Sequence, residues 1–175
     1  MVKVFIPCAG LLMLLLATAA TFSPSLTGTY VYDDLRFIEH NPFMEAPIDP
    51  VAPFIDPGTM ESRPVRDIYR PLRTLVFRIE HALGNGRPQF HHLMGLVFHL
   101  INTMLVFLLA KRVRLVSPGS ARSDAAALLG AGVFALHPLQ TETVAWISSR
   151  GDQLVVLFLL STLILVFNDG KREQG

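Results

Sequence analysis

Residues 4–22 read VFIPCAGLLMLLLATAATF, and a short segment separates this apolar run from Tyr30-Val31-Tyr32-Asp33-Asp34. The run is long enough to cross a bilayer, because the hydrocarbon core takes about 17 to 25 helical residues. The two carboxylates would then stand at a lipid–water boundary. This arrangement predicts a membrane protein with acidic chemistry at one membrane face.

The composition and the distribution of apolar residues predict several membrane helices. Charged residues make up only 17% of the 175-residue chain, against about 25% in an ordinary soluble domain. The predicted transmembrane helices are 1–22, 93–110, 121–137 and 154–168. The third and fourth are short for a span, and the fourth reaches spanning length when it is extended back through Trp146. The expected fold class is therefore an all-α polytopic membrane protein with four transmembrane helices.

Basic residues near the ends of the spans predict the orientation, because short loops rich in Lys and Arg stay in the cytoplasm. These residues are Lys3, Lys111, Arg112, Arg114, Arg122, Lys171 and Arg172. With four spans, both termini are cytoplasmic, as are the loop 111–120 and the tail 169–175. The long loop 23–92 and the connection 138–153 are then extracytoplasmic.

The first span has a second interpretation. Residues 1–21 also have the form of a secretory signal, with Lys3 before an apolar core and small residues near its end. A cleaved signal and a retained span both leave Asp33 and Asp34 outside. The single Cys8 lies inside this segment, so no disulfide can form within the chain.

Charge and pattern exclude some classes of function. The net charge of +1, without a basic stripe interleaved with aromatics, excludes nucleic acid as a partner. No repeat with a period of about 20 to 50 residues is present. A channel or transporter is disfavoured, because the third and fourth spans carry few interior polar residues and no Gly/Pro-broken helices repeat in inverted sense.

The long loop is predicted to begin irregular and to end in a helix. Six prolines between Asn41 and Pro64 disfavour a long helix or a central strand there. Residues 71–83 then place Leu72, Leu75, Val76, Ile79 and Leu83 at helical spacing. This helix either packs its apolar side on other protein or lies in the membrane interface with Arg78 snorkelling to the headgroups. Its position beside a span favours the interfacial interpretation.

Three groups of polar residues border the spans, where ionisable side chains usually face a cavity or one another. Asp33 and Asp34 point in different directions on an extended loop, so we expect one to face a site and the other to face backbone or a basic partner. Acids that play no part in a site are also common in loops.

The second polar group is the segment that runs from His137 to Asp152. If Pro138 opens a helix, Glu142, Trp146 and Arg150 lie roughly along one face. Arg150 could then bind a phosphate bidentately. A solvated network of ion pairs is an equally good interpretation of the same spacing.

The third polar group is His91, His92, His99 and Asn102, at the start of and within the second span. His99 and Asn102 share a helix face and are predicted to bridge helices by hydrogen bonds. No HExxH or paired-cysteine spacing supports a zinc site.

Three strings together resemble a known family. They are YVYDDLRFIEHNP (residues 30–42), YRPLRTLVFRIEHALGNGRPQFHHLMGLVFHLINTMLVFLL (69–109) and ALHPLQTETVAWISSRGDQLVVLFLLSTL (135–163). The chain is similar in these strings, and over nearly its whole length, to the amino-terminal membrane region of the transmembrane and tetratricopeptide-repeat proteins. That family belongs to the GT-C glycosyltransferases and is related in architecture to protein O-mannosyltransferases.

The resemblance implies transfer of a sugar, such as mannose, from a polyprenyl-phosphate donor to a protein or glycan acceptor on the outer side of the membrane. Position in the family's motifs implies that Asp33 or Asp34, with a slight preference for Asp34, acts as general base or helps hold a divalent metal. The other implied site residues are Arg70 near a lipid phosphate and His137, Glu142, Arg150 and Asp152 in the second outer segment.

The chain departs from the family in length. Family members continue through more membrane helices and usually a soluble helical-repeat domain, and no tetratricopeptide repeat is present here. This departure leaves three interpretations open: a fragment, a truncated gene product, or a reduced homologue that works with another subunit. A non-catalytic membrane scaffold or assembly subunit with the same fold is the alternative to an enzyme.

Overall fold

A computed structural model describes residues 5–62, 69–113 and 121–172, which form helices joined by turns and loops, with no strand among them. The α-helices are α1 (Phe5–Phe22), α2 (Ala52–Ile55), α3 (Pro71–Gly84), α4 (Pro88–Arg112), α5 (Ala121–Leu136), α6 (Gln140–Ala145) and α7 (Arg150–Arg172). The predicted cytoplasmic residues Lys3 and Arg114, and the loop 111–120 beyond Val113, lie outside the described residues.

Within the described ranges, three helical stretches are long and apolar enough to cross a membrane: Cys8–Thr27, Pro88–Arg112 and Ile147–Phe167. They correspond to the first, second and fourth predicted spans, the fourth in its extended form. The third predicted span forms α5, which has 16 residues and is shorter than the usual span of about 17 to 25. Its crossing of the membrane stays a prediction.

α4 lies at the centre of the bundle and packs against α1, α3, α5 and α7. Its buried face includes hydrogen bonds to two of these helices: His99 Nε2 lies 3.0 Å from the carbonyl oxygen of Ala135 in α5. Asn102 Nδ2 donates to the carbonyl oxygen of Gln153 in α7 at 3.0 Å. The prediction that this face bridges helices is confirmed.

The outer surfaces of the long helices are apolar. Met13 of α1, Val133 of α5 and Leu165 of α7 are each exposed by more than half. Hydrogen bonds inside a bundle and apolar side chains outside it are typical of a membrane protein, because lipid cannot satisfy polar groups. The fold is that of an all-helical, multi-pass membrane protein.

α3 confirms the predicted helix, but its polar side faces the protein. Arg73, Glu80 and His81 are buried, whereas Ile79 is 39% and Leu83 71% exposed. The apolar stripe is therefore left uncovered by the described residues, as an interfacial helix requires. The helix ends at Gly84, where Asn85 takes a left-handed backbone with φ of 53°, as the Gly-Asn-Gly stop predicts.

The expectation that Arg78 snorkels to the headgroups is wrong. Its side chain is only 7% exposed, and Nε donates to the carbonyl oxygen of Ala46 at 2.8 Å. The carbonyl belongs to the proline-rich loop, whose backbone cannot satisfy itself by regular pairing. Arg78 therefore fastens that loop to α3.

Up to residue 62, the proline-rich loop contains short helical turns, the longest of which is the four-residue α2. Asn41 joins the beginning of this loop to its later part, because its side-chain amide donates to the carbonyl oxygens of Phe37 and Thr59 at 3.1 and 2.9 Å. Met44 of the loop packs with Phe77 of α3 and Ile147 in a buried cluster. The loop is thereby held against α3 and the segment just before α7.

The prediction of one helix through Glu142, Trp146 and Arg150 is wrong. α6 ends at Ala145, and Trp146 has an extended backbone with φ of −92° and ψ of 113°. A 3₁₀ turn, Ile147–Ser149, then leads into α7. The break turns Glu142 and Arg150 toward different surroundings, which spacing alone does not reveal.

Candidate functional site

The neighbouring carboxylates Asp33 and Asp34 have opposite environments. Asp34 is fully buried, and its Oδ1 accepts from both the backbone N–H and the hydroxyl of Ser148. Its Oδ2 accepts from the backbone N–H of Val31 at 3.2 Å. Asp33 leaves 43% of its side chain exposed. One acid thus ties two segments together while the other stays accessible.

Burial raises the pKa of Asp34 above its ordinary value, because the charged form loses its hydration. The hydrogen bonds from Ser148 and Val31 act in the opposite direction, since they stabilise the carboxylate. The balance lies with desolvation, so this carboxyl takes up a proton more readily than an exposed aspartate.

Local backbone geometry turns the two acids apart. Tyr32, just before them, has a positive φ of 50°, a conformation that is costly for a bulky residue. A π-helical turn, Leu35–Glu39, follows directly after Asp34. Arg36 in this turn lies 3.6 Å from Asp33 and 3.5 Å from Glu61, so the exposed acid has a cationic neighbour on one side.

Asp33 and Glu142 line a common cavity of about 760 Å³. The other residues in its wall are Val31, Tyr32, Thr141, Ala145 and Trp146. The fold thus brings together the first and second predicted outer segments. Two carboxylates beside two aromatic rings give a surface with hydrogen-bond acceptors and flat apolar faces, which suits a hydroxyl-bearing substrate.

Arg70 and Asp152 line a second cavity, of about 530 Å³, between the start of α3 and the start of α7. Its other lining residues are Pro71, Leu72, Arg73, Gly151, Leu154, Val155 and Phe158. Most of this wall is apolar, and the charged groups sit at one end. The cavity therefore has the chemistry of a site for an amphiphile with a charged head.

Arg150, predicted to bind substrate, is 1% exposed and is engaged by the protein itself. Its Nε lies 3.0 Å from Glu80 Oε1 in α3, and Nη2 donates to the carbonyl oxygen of His91 in α4 at 2.6 Å. Gly95 permits this approach, since a Cβ there would lie 3.1 Å from Nη1. Arg150 joins three helices and lines neither cavity.

His137 is exposed and lies apart from the carboxylates. Its Nδ1 accepts from the backbone N–H of Leu139 at 3.2 Å, and it lines a separate cavity of about 520 Å³ with Phe22 and Thr141. Among the residues that the structure describes, no group of three or more His, Cys, Asp or Glu side chains could hold a metal ion.

Sequence reasoning missed three residues of this region: Ser148, Arg73 and Glu80. Ser148 and Glu80 act through partners 114 and 70 residues away in the chain, so no local spacing marks them. Arg73 belongs to the same YRPLR string as Arg70, and this shared string was the only signal for it.

Comparison with known proteins agrees with the resemblance in the three strings. The chain is 27% identical over 160 residues to protein O-mannosyl-transferase F38B6.6 of Caenorhabditis elegans, covering 89% of this chain and 22% of that protein. It is 29% identical over 167 residues to human protein O-mannosyl-transferase TMTC1, covering 90% of the chain and 18% of the relative. Drosophila melanogaster Tmtc1 is 32% identical over 162 residues, with 86% and 17% covered.

The chain thus spans only 17 to 22% of the length of these relatives. No family model matches the sequence. No solved structure matches it either.

Proposed function

Because the chain is homologous over most of its length to the protein O-mannosyl-transferases of the TMTC family, we propose that it forms part of a membrane glycosyltransferase. The reaction is transfer of a sugar, mannose by the relatives' names, from a polyprenyl-phosphate donor to a protein acceptor on the extracytoplasmic side. The observation that carries this proposal is the cavity shared by Asp33 and Glu142.

The acceptor side of the reaction needs a base. An acceptor hydroxyl that displaces a phosphate at an anomeric carbon must lose its proton, and a carboxylate within hydrogen-bond reach can take it. Asp34 is fully buried, and both of its carboxylate oxygens already accept hydrogen bonds from Val31 or Ser148, so it is not free to act on a substrate. We therefore assign the base to Asp33, with Glu142 as a second hydrogen-bond acceptor across the cavity.

Asp34 is assigned a positioning role in this proposal. Its bonds to Ser148 and Val31 fix the backbone on both sides of Asp33 and join the loop to the turn before α7. Pre-organisation of this kind matters because an error of about 1 Å in placement of a reacting group can cost about 100-fold in rate.

The donor side is assigned to the cavity of Arg70. A guanidinium binds phosphate through paired N–H groups and stabilises the negative charge that builds up on the leaving group. The apolar wall, which includes Leu154 and Val155, suits the first units of a polyprenyl chain. His137 and Arg150 lie outside this cavity, and we propose no contact between them and the donor.

The shared cavity also supports the proposed topology of four spans. Asp33 precedes α4 and Glu142 follows α5, so they can meet at one membrane face only if the chain between them crosses an even number of times. α5 would then span with about 24 Å of helix, at 1.5 Å per residue, against a core of about 30 Å. Local thinning of the bilayer accommodates such a difference at modest cost.

The proposal is tested by a transfer assay on membranes that contain the full-length reading frame, with a polyprenyl-phosphate mannose donor. We expect Asp33→Asn to lower the rate by about 100-fold or more, the size of a general-base effect. Glu39→Gln serves as the control, because Glu39 is an exposed acid in the same loop but outside the cavity.

Unchanged transfer by the Asp33→Asn protein would refute the assignment of the base. Absence of transfer by the wild-type protein with every polyprenyl-phosphate sugar would favour a scaffold with the same fold.

A further inference from the structure

Arg73 is a buried cation with unpaired hydrogen-bond donors. Only 3% of the residue is exposed, yet within the described part of the chain its Nε and Nη2 have no hydrogen-bond partner. A buried guanidinium normally has its N–H groups paired, because desolvation without compensation is costly. Unsatisfied donors on a cation indicate a place for an anion that the protein itself does not supply.

The guanidinium of Arg73 is held by aromatic rings. Its Cζ lies 4.0 Å from the ring centroid of Phe37 and 5.6 Å from that of Phe77. Such contacts stabilise the charge on the ring faces but leave the N–H edge without an acceptor. The side chain is therefore fixed in place before any ligand arrives.

Two cations converge on the first turn of α7. Arg70 and Arg73 line the same cavity, and a Cβ built on Gly151 would lie 3.9 Å from Arg70 Nη1 and 3.8 Å from Arg73 Cδ. Burial and then the positive charge of Arg70 lower the pKa of Arg73 to about 10. Like charges at close range raise the energy of the empty site, and a bound anion would remove that repulsion.

The remaining wall of the cavity identifies the kind of anion. Among the described residues of the lining, Asp152 is the one carboxylate. Two guanidiniums therefore leave the charged end positive, and the N-terminus of α7 adds to that potential. Val155 and Phe158 are 65% and 54% exposed and continue the cavity onto the apolar surface of α7. A ligand that fills both ends has a phosphate head and a hydrocarbon tail.

We infer that Arg73 is a second phosphate-binding residue beside Arg70, and that Gly151, which lies next to Arg70 Nη1 and Arg73 Cδ, keeps open the space for the head of a lipid phosphate. The inference rests on the proposed function for the identity of the donor, and it adds residues to its donor cavity. Free inorganic phosphate shares the head-group chemistry but has no group for the apolar wall.

The test is equilibrium binding to the full-length protein in neutral phosphatidylcholine nanodiscs, with farnesyl phosphate, farnesol and inorganic phosphate as probes. We expect farnesyl phosphate to bind at least about tenfold more tightly than either other probe. Arg73→Gln should weaken the binding of farnesyl phosphate by about 10- to 100-fold, which is the effect expected from the loss of charge-assisted hydrogen bonds. Arg87→Gln, the same change at an exposed arginine outside the cavity, should leave affinity unchanged.

Variants of Gly151 test the cavity without changing Arg73, so the inference can still be tested if Arg73→Gln fails to fold. Gly151→Ala meets only ordinary van der Waals contacts and should bind as the wild type does, whereas Gly151→Leu should fill the cavity and weaken binding at least about tenfold. Asp152→Asn should tighten it. Unchanged affinity in both Arg73→Gln and Gly151→Leu, or inorganic phosphate binding as tightly as farnesyl phosphate, would overturn the inference.

Binding and transfer separate this inference from the proposed function. A protein that binds farnesyl phosphate through Arg73 but transfers no sugar upholds the inference and refutes the enzyme. If the Arg73→Gln variant transfers sugar at the wild-type rate when the donor concentration is limiting, the proposed enzyme is upheld and the inference about Arg73 is refuted.

Discussion

At the scale of single residues, the two adjacent acids show how one step along a chain can separate two roles. The sequence predicts that one of them faces a site and the other faces backbone or a basic partner, and Asp34 does accept from the backbone N–H groups of Val31 and Ser148. Asp33 lines the cavity. Which acid takes which position depends on the left-handed backbone conformation of Tyr32, and no pattern in the sequence predicts that conformation.

Ser148→Ala should destabilise the fold, because it removes a buried donor to Asp34. We expect a loss of about 1 to 3 kcal/mol in the free energy of unfolding, the usual cost of an unsatisfied buried group. Ser148→Thr keeps the hydroxyl and should recover most of that loss. Thermal unfolding in detergent measures both, and equal stability of the alanine variant and the wild type would contradict the assignment.

The raised pKa of Asp34 predicts a pH dependence of stability. Above the ordinary aspartate value of 3.8, the unfolded chain releases this proton while the folded protein still holds it. Stability should therefore fall as pH rises from about 4 through the raised folded pKa. Asp34→Asn cannot titrate and should flatten this part of the profile of unfolding temperature against pH, whereas Glu39→Gln should not. If the profile of Asp34→Asn ran parallel to that of the wild type, a group other than Asp34 would be responsible for the pH dependence.

At the scale of elements, the apolar runs were enough to locate the long helices and α3, because burial in lipid or protein demands those runs. The contacts among them were not predictable. α3 presents its polar side to the protein, and Glu80 on that side meets Arg150 from a helix 70 residues later. Helical periodicity determines which residues share a face, but it does not determine whether that face contacts protein, water or lipid.

The pairing of Glu80 with Arg150 and His91 should be the strongest single link between α3, α4 and α7. Glu80→Gln leaves Arg150 buried with reduced compensation, so we expect a loss of about 3 to 5 kcal/mol in stability. Asp124→Asn breaks the partly exposed pair with Lys111 and should cost under about 1 kcal/mol. Denaturation of the purified proteins compares the two, and similar losses would show that the buried pair is not special.

At the scale of the whole molecule, the central α4 and the buried Arg150 join the helices that carry the two cavities, and so fix the position of one cavity relative to the other. Arg73 lines the cavity of Arg70, and its pKa responds to the charges of both Arg70 and Asp33. None of this convergence follows from local sequence, because it joins segments that the membrane helices separate.

The topology gives the most general prediction. With Cys8 replaced by serine, single cysteines at Glu39 and at Leu139, both exposed, should react with a membrane-impermeant maleimide from the same side of sealed vesicles. A cysteine at Val113, which follows α4 and is 40% exposed, should react only after the vesicles are opened. Two crossings between Glu39 and Leu139 require this pattern. If α5 did not cross, Leu139 would label with Val113, and Asp33 and Glu142 could not share one cavity in the membrane.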